Sequence, residues 1–368
     1  MHIDHHFKIT KQIKNILIIQ LGDVGDVVWT TPSFKAVKET FPHAGVSVLL
    51  REGTACLFEA DPYVEQCFEV KHYKGHLLNR VIEQIRFVRI LRRKHFDIAF
   101  DLRSDDRGAF MARLTGAEIR GALYYRDVPF LRNRLFTHLL VEPSQQKKKV
   151  LGAAEQSLRI LRGFGIHASS DVPKLWIMPD VMKQAQQILH RAGCVDSNDH
   201  DGLGLITLNP FSRWSYKEWD SDKWVSIMNW LWNRFHIASA VVGNKEESAR
   251  ATELVNRCSG TVYNLAGKTT LAELAGVLSF SGLHIGVDSA APHIAAAVGT
   301  PTITIYGPSD WQDWAPVGEM HRVIVPDMEC VPCRKKGCDG SEQSRCLETL
   351  EIDKVQTVIG EELEKRSR

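Results

Sequence analysis

Four short stretches of the sequence combine residue types that can bind a phosphorylated ligand or move a proton. The first follows an apolar run and reads GDVGD. Gly22 and Gly25 let the backbone turn tightly and approach a ligand, and the carboxylate of Asp26 could accept a proton from a substrate hydroxyl. The alternative is that Asp23 or Asp26 only caps the following helix. Neither a Gly-x-Gly-x-x-Gly dinucleotide fingerprint nor a Gly-Lys-Ser/Thr phosphate loop occurs here.

The second stretch follows another apolar run and reads NPFSRWSYKEW. Ser212, Arg213 and Lys217 place a hydroxyl and two cations at the end of a predicted strand, where a diphosphate needs charge-assisted donors. Trp214 and Trp219 could exclude water from such a site. The alternative is an ordinary solvated loop.

The third stretch, GNKEE, lies between a predicted strand and a predicted helix. A carboxylate of Glu246 or Glu247 at this position could accept both hydroxyls of a ribose, as in other nucleotide-binding α/β proteins. The alternative is that both acids only complement the helix dipole.

The fourth stretch reads VDSAAPHIAAAVGTP, and a strand passes into a helix at its Asp and Ser. Backbone N–H groups from Ser289 to Ala291 could cradle a phosphate, while Asp288 and His293 hold sugar hydroxyls. The alternative is a helix cap and a buried core histidine.

A cluster of four cysteines near the C-terminus has spacing suited to a metal. Cys330, Cys333, Cys338 and Cys346 could place four thiolates around one zinc or iron ion. The alternatives are reduced thiols or a disulfide.

These four stretches must be positioned by secondary structure. Along the chain, short apolar runs alternate with longer segments whose apolar residues recur at helical spacing, and this pattern predicts α/β domains with parallel sheets. In the first half we predict strands at 15–21, 46–50 and 96–102 and helices at 26–40 and 79–94. In the second half we predict strands at 204–208, 237–242, 261–265, 283–287 and 302–306 and helices at 222–234, 245–258 and 271–280, with another from about Pro292.

Polar, Gly-rich segments at 169–173 and 196–204 indicate linkers. We therefore predict an N-terminal Rossmann-like domain at 1–170, a C-terminal one at 171–350, and a final helix at 351–368 that packs back on the N-terminal domain. Ligands of such sheets bind beyond the carboxyl ends of the strands.

Length and composition narrow the class of protein. The 368 residues are 44% hydrophobic and 24% charged, which is typical of a globular protein of about two domains. The net charge of +2 gives no indication of nucleic acid as a partner. Since no apolar run approaches a membrane span, we expect a cytoplasmic location. The basic and apolar helix at 79–94 could rest on anionic lipid, or it could be a solvated outer face.

These motifs, in this order, resemble the ADP-heptose:lipopolysaccharide heptosyltransferases, glycosyltransferase family 9. The resemblance runs from about Asn15 to the end of the chain and is carried by ILIIQLGDVGDVVWTTP, AGKTTLAELAGVL and VDSAAPHIAAAVGTPTITIYGPSDWQDWAP. The segment SRWSYKEW looks like the branch that adds a later inner-core heptose. The resemblance implies a GT-B fold, with two doubly wound Rossmann-like domains that face each other across a cleft.

The resemblance also implies an inverting transfer of heptose from ADP-heptose to a lipid-linked core oligosaccharide. Asp26 then matches the general base, and Lys217 matches the contact to the leaving diphosphate. On the donor side, the resemblance implies that Glu247, in preference to Glu246, contacts the ribose and that the backbone of Thr269 contacts the adenine. The other expected donor contacts are Gly25, Ser212, Arg213, Asp288, Ser289, Ala290 and His293. One departure is Ala290, where the family usually has glycine; its N–H survives, but the tighter fit is lost. Arg103 and Arg107 are expected to contact the anionic acceptor; the alternative is that they pair with Asp105 and Asp106.

No cofactor is expected for the chemistry, although related protein heptosyltransferases hold iron at a similar cysteine set. Three other functions stay open at this point: heptosylation of a protein such as an autotransporter, a GT-B sugar-nucleotide epimerase or hydrolase, and a non-catalytic sugar-nucleotide binding module. We expect no nucleic-acid partner, and contact with the cytoplasmic face of the inner membrane remains open.

Overall fold

The computed structural model describes residues 1–71, 76–126, 130–141, 152–194 and 204–366. The chain divides into two compact units, unit 1 (Met1–Pro173) and unit 2 (Lys174–Arg368). Of the two predicted linkers, the one at 196–204 lies outside the described residues except for Gly204.

The described part of unit 1 contains one parallel sheet and the helices that flank its strands. Its strands are β1 (His2–Asp4), β2 (Asn15–Gln20), β3 (Gly45–Arg51), β4 (Gln66–Val70), β5 (Ile98–Asp101), β6 (Ile119–Leu123) and β7 (His138–Leu140). Its helices are α1 (Val24–Trp29), α2 (Thr31–Thr40), α3 (Leu77–Arg93), α4 (Asp106–Thr115), α5 (Phe130–Arg134) and α6 (Glu155–Gly163). The strand order is β1-β7-β6-β5-β2-β3-β4, and every pair is parallel.

The described part of unit 2 repeats this architecture. Its strands are β8 (Leu205–Asn209), β9 (Ser239–Val241), β10 (Val262–Asn264), β11 (Ser281–Val287), β12 (Thr302–Ile305) and β13 (His321–Ile324). Its helices are α7 (Pro179–Arg191), α8 (Ser221–Phe235), α9 (Ser248–Asn256), α10 (Leu271–Ser279), α11 (Ala290–Ala297), α12 (Trp311–Trp314), α13 (Arg345–Glu348) and α14 (Ile352–Arg366). The order β10-β9-β8-β11-β12-β13 is again fully parallel.

Both sheets reverse their strand order at a central point. In unit 1 this point lies between β2 and β5, and in unit 2 it lies between β8 and β11. In open parallel sheets, ligands bind at the carboxyl ends of the strands beside this reversal. The loops after these four strands are therefore the expected place for a site in each unit.

The apolar runs of the sequence become strands buried on both faces. In β2, Ile16, Leu17, Ile18 and Ile19 are all fully buried, which is why this run shows no alternation of polar and apolar residues. The predicted helix at 26–40 is two helices, because α1 ends at Trp29 and α2 begins at Thr31 with a proline in its first turn.

The central strands of unit 2 have two different faces, because successive side chains of a strand point in opposite directions. One face is apolar and shares a core with α8 and α14; from the strands it contains Ile206, Leu208, Leu283, Ile285, Val287, Ile303 and Ile305. The other face is polar although it is also buried, and it contains Thr207, Asn209, His284, Thr302 and Thr304. Helix α11 covers the polar face, since a Cβ on Gly286 would lie 3.3 Å from Cγ of Pro292.

The last helix packs on unit 2, whereas the sequence analysis placed it on the N-terminal domain. Val355, Ile359 and Leu363 of α14 are buried in the same core as the apolar face of the second sheet. These three positions form one apolar stripe of the helix, and that stripe is filled by contacts within unit 2. Among the described residues, no helix combines the length and hydropathy needed to cross a bilayer.

Candidate active site

The loop after β2 presents the acid of unit 1. Asp26 is the third residue of α1, and its Oδ2 accepts a hydrogen bond of 3.1 Å from the backbone N of Asp23, the N-cap residue. Capping and a chemical role are compatible here, because the same oxygen also contacts Nη1 of Arg103. A Cβ on Gly22 would overlap both of these side chains. Gly22 therefore makes room for the pair.

The loop after β5 and the first turn of α4 supply two cations on this side of unit 1. Arg103 also approaches Asp105, with 3.3 Å between Nε and Oδ2, and Arg107 lies 3.5 Å from the same carboxylate. Nη2 of Arg107 donates to the carbonyl of Leu21 at 3.1 Å. The structure thus places Arg103 against Asp26 and Arg107 against Asp105, and it shows the pairing with Asp105 that the sequence left as an alternative.

Asp101, the last residue of β5, fixes the backbone of this loop. It is fully buried, and its Oδ1 accepts hydrogen bonds from the backbone N of Arg103 at 3.2 Å and of Ser104 at 3.0 Å. Burial raises the pKa of Asp101 to about 7. A Cβ on Gly108 would overlap the carboxylate, so the first turn of α4 packs tightly against it. Asp101 positions Arg103 and was not assigned a role from the sequence.

In unit 2, the loops after β8 and β11 meet through an ion pair. Nζ of Lys217 lies 2.6 Å from Oδ2 of Asp288, and the two side chains are 22% and 10% exposed. Ser212 connects the same loops, because its Oγ donates to the carbonyl of Asp288 at 3.3 Å. The sequence predicted these residues as separate contacts, and the structure places them together at the strand-order reversal.

Glu218 and Arg250 hold the loop that carries Lys217, and neither was predicted from the sequence. The backbone N of Ser212 donates to Oε1 of Glu218 at 2.9 Å. Arg250 of α9 contacts the Glu218 carboxylate and stands 4.8 Å from the ring centre of Phe211. Glu218 follows the predicted cation directly, which is the signal that could have identified it.

The N-terminus of α11 offers backbone N–H groups beside the ion pair. Ser289 is its N-cap residue in extended conformation, and its Oγ donates to Oδ1 of Asn209 at 2.6 Å. The hydroxyl is thus engaged, while the first N–H groups of the helix, at Ala290 and beyond, have no partner within the helix itself. His293 is 7% exposed. Burial lowers the pKa of His293 to about 4, so its imidazole is neutral.

Glu247 turns back to the loop after β9. Its Oε2 accepts a hydrogen bond of 2.7 Å from the backbone N of Asn244, and burial raises the pKa of its carboxyl group. Thr269 is half-buried and lies in the turn just before Thr270, the N-cap residue of α10. Gly25 is buried in the first turn of α1 in unit 1.

The two predicted water-excluding tryptophans have different environments. Trp214 is 38% exposed and stacks on Tyr216, with ring centres 6.0 Å apart. The guanidinium of Arg213 lies 5.2 Å from the Trp214 ring centre. Trp219 belongs to the core, where it is 3% exposed and donates to the carbonyl of Leu350. The expectation that Trp219 covers a site is therefore wrong.

The cysteine cluster does not fit the metal site that its spacing allows. Cys330 is exposed, Cys333 and Cys338 are half-buried, Cys346 is buried, and all four are free thiols. Burial raises the pKa of Cys346 to about 11, and the charges of the nearby Cys333, Cys330 and Cys338 also raise it. Within the described ranges, which include all four cysteines, no group of three or more His, Cys, Asp or Glu side chains could hold a metal ion.

Comparison with known families decides which class of enzyme this site belongs to. The profile of glycosyltransferase family 9 (heptosyltransferase) matches residues 84–343. The chain belongs to glycosyltransferase family 9. The resemblance found in the sequence is thereby confirmed, and the protein is a glycosyltransferase of the heptosyltransferase family.

Relatives of this family 9 member include lipopolysaccharide heptosyltransferase 3 of Escherichia coli, which is 28% identical over 298 residues, or 79% of this chain and 84% of that protein. The structure is similar to the family 9 glycosyl transferase from Veillonella parvula, with a TM-score of 0.79 and 21% identity over 96% of this chain and 97% of that chain. It is also similar to E. coli heptosyltransferase WaaC with ADP-2-deoxy-2-fluoro heptose, with a TM-score of 0.67 and 19% identity over 94% and 99% of the two chains. These structures show that the fold of this family 9 chain is GT-B, as expected.

Proposed function

We propose that this family 9 glycosyltransferase moves heptose from ADP-heptose to a sugar hydroxyl of the lipopolysaccharide inner core. The observation that carries the proposal is the pairing of Lys217 with Asp288 at the N-terminus of α11, beside the strand-order reversal of unit 2. A cation and a helix N-terminus at this place suit a diphosphate, and a buried carboxylate beside them suits sugar hydroxyls. The names of the E. coli relative and of the WaaC complex support this donor and acceptor class.

In this proposal, Asp26 removes the proton from the acceptor hydroxyl. The oxygen then attacks the anomeric carbon of the heptose from the face opposite the diphosphate, so the configuration inverts in one displacement. The anomeric C–O bond to ADP breaks as the new bond forms, and the proton stays on Asp26. Arg103, which contacts Asp26, holds the carboxylate in place until the acceptor arrives.

Charge develops on the diphosphate as its bond to the heptose breaks. Lys217, Arg213 and the N–H groups that begin α11 are the donors assigned to this charge, and they stabilise the transition state more than the ground state. Glu247 is assigned to the ribose hydroxyls, and the backbone at Thr269 is assigned to the adenine. His293 is neutral at physiological pH because of its burial, so it serves as a hydrogen-bonding partner of the sugar.

The acceptor site is assigned to Arg103 and Arg107. Their side chains are 37% and 65% exposed, so their guanidinium groups remain accessible to an anionic group of the acceptor. A phosphorylated or carboxylated core saccharide fits this charge, since guanidinium groups bind such anions through paired hydrogen bonds.

The test is release of ADP from ADP-heptose with a panel of truncated core lipids as acceptors. Acceptor-dependent release supports the proposal. Release at the same rate without acceptor indicates hydrolysis, release that requires a protein substrate indicates a protein heptosyltransferase, and no release at all indicates a binding module. Each of these three outcomes contradicts the proposed reaction.

We also propose that α3 rests on the cytoplasmic surface of the inner membrane, where a lipid-linked acceptor would be found. Four large apolar side chains at helical spacing are exposed on it: Leu78, Val81, Ile82 and Ile85, at 70%, 42%, 39% and 46%. Arginines flank this stripe along the same helix, which suits anionic headgroups.

Vesicle sedimentation tests this contact. The double variant Ile82→Ser/Ile85→Ser should release the protein from vesicles that contain anionic lipid, while Val172→Ser, at a residue that is 56% exposed outside α3, should not. Equal binding by both variants would contradict the assignment.

A further inference from the structure

A buried hydroxyl without a partner stands beside the proposed donor site. Tyr306 follows β12 and is fully buried on the polar face of the second sheet. Within the described part of the chain, its hydroxyl has no hydrogen-bond partner, and the same holds for Oγ1 of Thr304 and Nε2 of His284 on this face. Phenylalanine would fill the same volume without the cost of burying a hydroxyl unpaired. The hydroxyl is therefore available to a partner that comes within its reach in another state of the protein.

The sheet register identifies Asp288 as that partner. Val287 pairs with Ile305 across β11 and β12, so Asp288 and Tyr306 are the next residues of the two strands and lie on the same face. The backbone N of Asp288 donates to the carbonyl of Ile305 at 3.1 Å, which continues the ladder to this level. Burial, and then the charge of Asp288, raise the pKa of Tyr306 well above its usual value. The phenol therefore stays protonated and can only donate its hydrogen to a carboxylate.

The ion pair of Asp288 is the contact that donor binding must disturb. Lys217 lies 2.6 Å from the Asp288 carboxylate, yet the proposed function requires the same ammonium group at the diphosphate. When Lys217 moves to the diphosphate, a carboxylate that is only 10% exposed loses its counter-charge. Neutral His293 also faces this carboxylate, but it brings no positive charge.

We propose that Tyr306 is a positioning residue that replaces Lys217 as the partner of Asp288. Its hydroxyl donates to the carboxylate when Lys217 moves to the diphosphate, and it thereby keeps Asp288 directed at the donor sugar. This exchange of partners rests on the proposed function in one respect, since binding of the diphosphate is what draws Lys217 away from Asp288. The proximity of Tyr306 to Asp288 does not depend on the proposed function.

A double-mutant cycle on urea unfolding tests the exchange without any substrate. All tryptophans except Trp29 lie in unit 2, so their fluorescence follows the unfolding of the unit that contains Tyr306. In the wild-type background, Tyr306→Phe should leave the unfolding midpoint unchanged or raise it, because the hydroxyl is unpaired. In the Lys217→Met background, Tyr306→Phe should lower the midpoint, because the carboxylate then loses its remaining donor.

Thr304→Val is the matched control, since it also removes a buried hydroxyl that has no partner among the described residues, two positions before Tyr306 and on the same face. It should shift the midpoint in the same direction in both backgrounds. The proposal is overturned if Tyr306→Phe has the same effect in both backgrounds, or if Thr304→Val reverses its sign as well.

Kinetics give a second readout that a purely structural role would not move. Tyr306→Phe should raise KM for ADP-heptose about tenfold, as expected for one lost hydrogen bond to a charged group, with an unfolding midpoint no lower than that of the wild type. An unchanged KM in an active enzyme overturns the proposal. A wild-type chain that releases no ADP from ADP-heptose refutes the proposed function instead, and the unfolding cycle still decides the role of Tyr306.

Discussion

Replacing Asp26 with asparagine removes one negative charge and leaves the shape of the side chain unchanged. Asparagine keeps an oxygen that can accept the hydrogen bond from the backbone N of Asp23, so the cap of α1 should survive. The ion pair with Arg103 is lost, but these side chains are 19% and 37% exposed, and such pairs contribute at most about 1 kcal/mol to stability. General-base catalysis contributes about 10²- to 10⁴-fold to a rate. We therefore expect kcat to fall by this factor with little change in stability.

The assay is the initial rate of acceptor-dependent ADP release, together with calorimetric binding of ADP. ADP affinity should be unchanged, because the residues assigned to ADP belong mainly to unit 2. The matched control is Asp23→Asn, which neutralises a carboxylate three residues earlier; this carboxylate is 51% exposed and lies 2.5 Å from Arg51. That control should keep near-normal turnover. An Asp26→Asn enzyme within tenfold of the wild-type rate would refute the assignment of the base.

Three further predictions concern the supporting residues. Burial raises the pKa of Asp101 to about 7, above its unfolded value, so the folded chain binds the extra proton and stability falls as pH rises from about 4 to about 7. Asp101→Asn should abolish a fall in the free energy of unfolding of about 1.4 kcal/mol per pH unit in that window. Urea unfolding at several pH values measures this slope, and the same slope in the wild type and the variant would contradict the prediction. Gly22→Ala should lower kcat with little loss of donor affinity, because its Cβ displaces the Asp26–Arg103 pair; normal turnover would contradict this geometry. Glu247→Gln should lower the affinity for ADP more than the affinity for 2′-deoxy-ADP, as measured by calorimetry. An equal loss of affinity for the two nucleotides would contradict the assignment of Glu247 to the ribose hydroxyls.

The central strands could be predicted from the sequence because burial on both faces leaves a continuous apolar run. The strand predicted at 15–21 is β2, and the helix predicted at 271–280 is α10, where Thr270 and Glu273 form a capping box. Edge strand β4 was not predicted, because most of its side chains are only half-buried and its pattern is correspondingly weak. The break between α1 and α2 was missed because Thr30, the one residue between them, keeps helical backbone angles.

Residues of the candidate site could be predicted where a reactive side chain closely follows a strand in the sequence. Asp26 stands in the first turn of the helix after β2, and Lys217 stands in the loop after β8, so strand prediction alone indicates their edge of each sheet. The pairing of Lys217 with Asp288 depends on the strand order, which a single sequence does not reveal. Tyr306 escaped notice because the run ITIY looks like an ordinary buried strand end, and only the register places its hydroxyl beside Asp288.

A crystal structure of this chain with an unreactive ADP-heptose analogue would test the central claim most directly. The account predicts that the diphosphate lies on Lys217 and the N-terminus of α11, with the Asp26 carboxylate on the opposite side of the anomeric carbon. A diphosphate bound elsewhere, or an anomeric carbon that Asp26 does not approach, would contradict it.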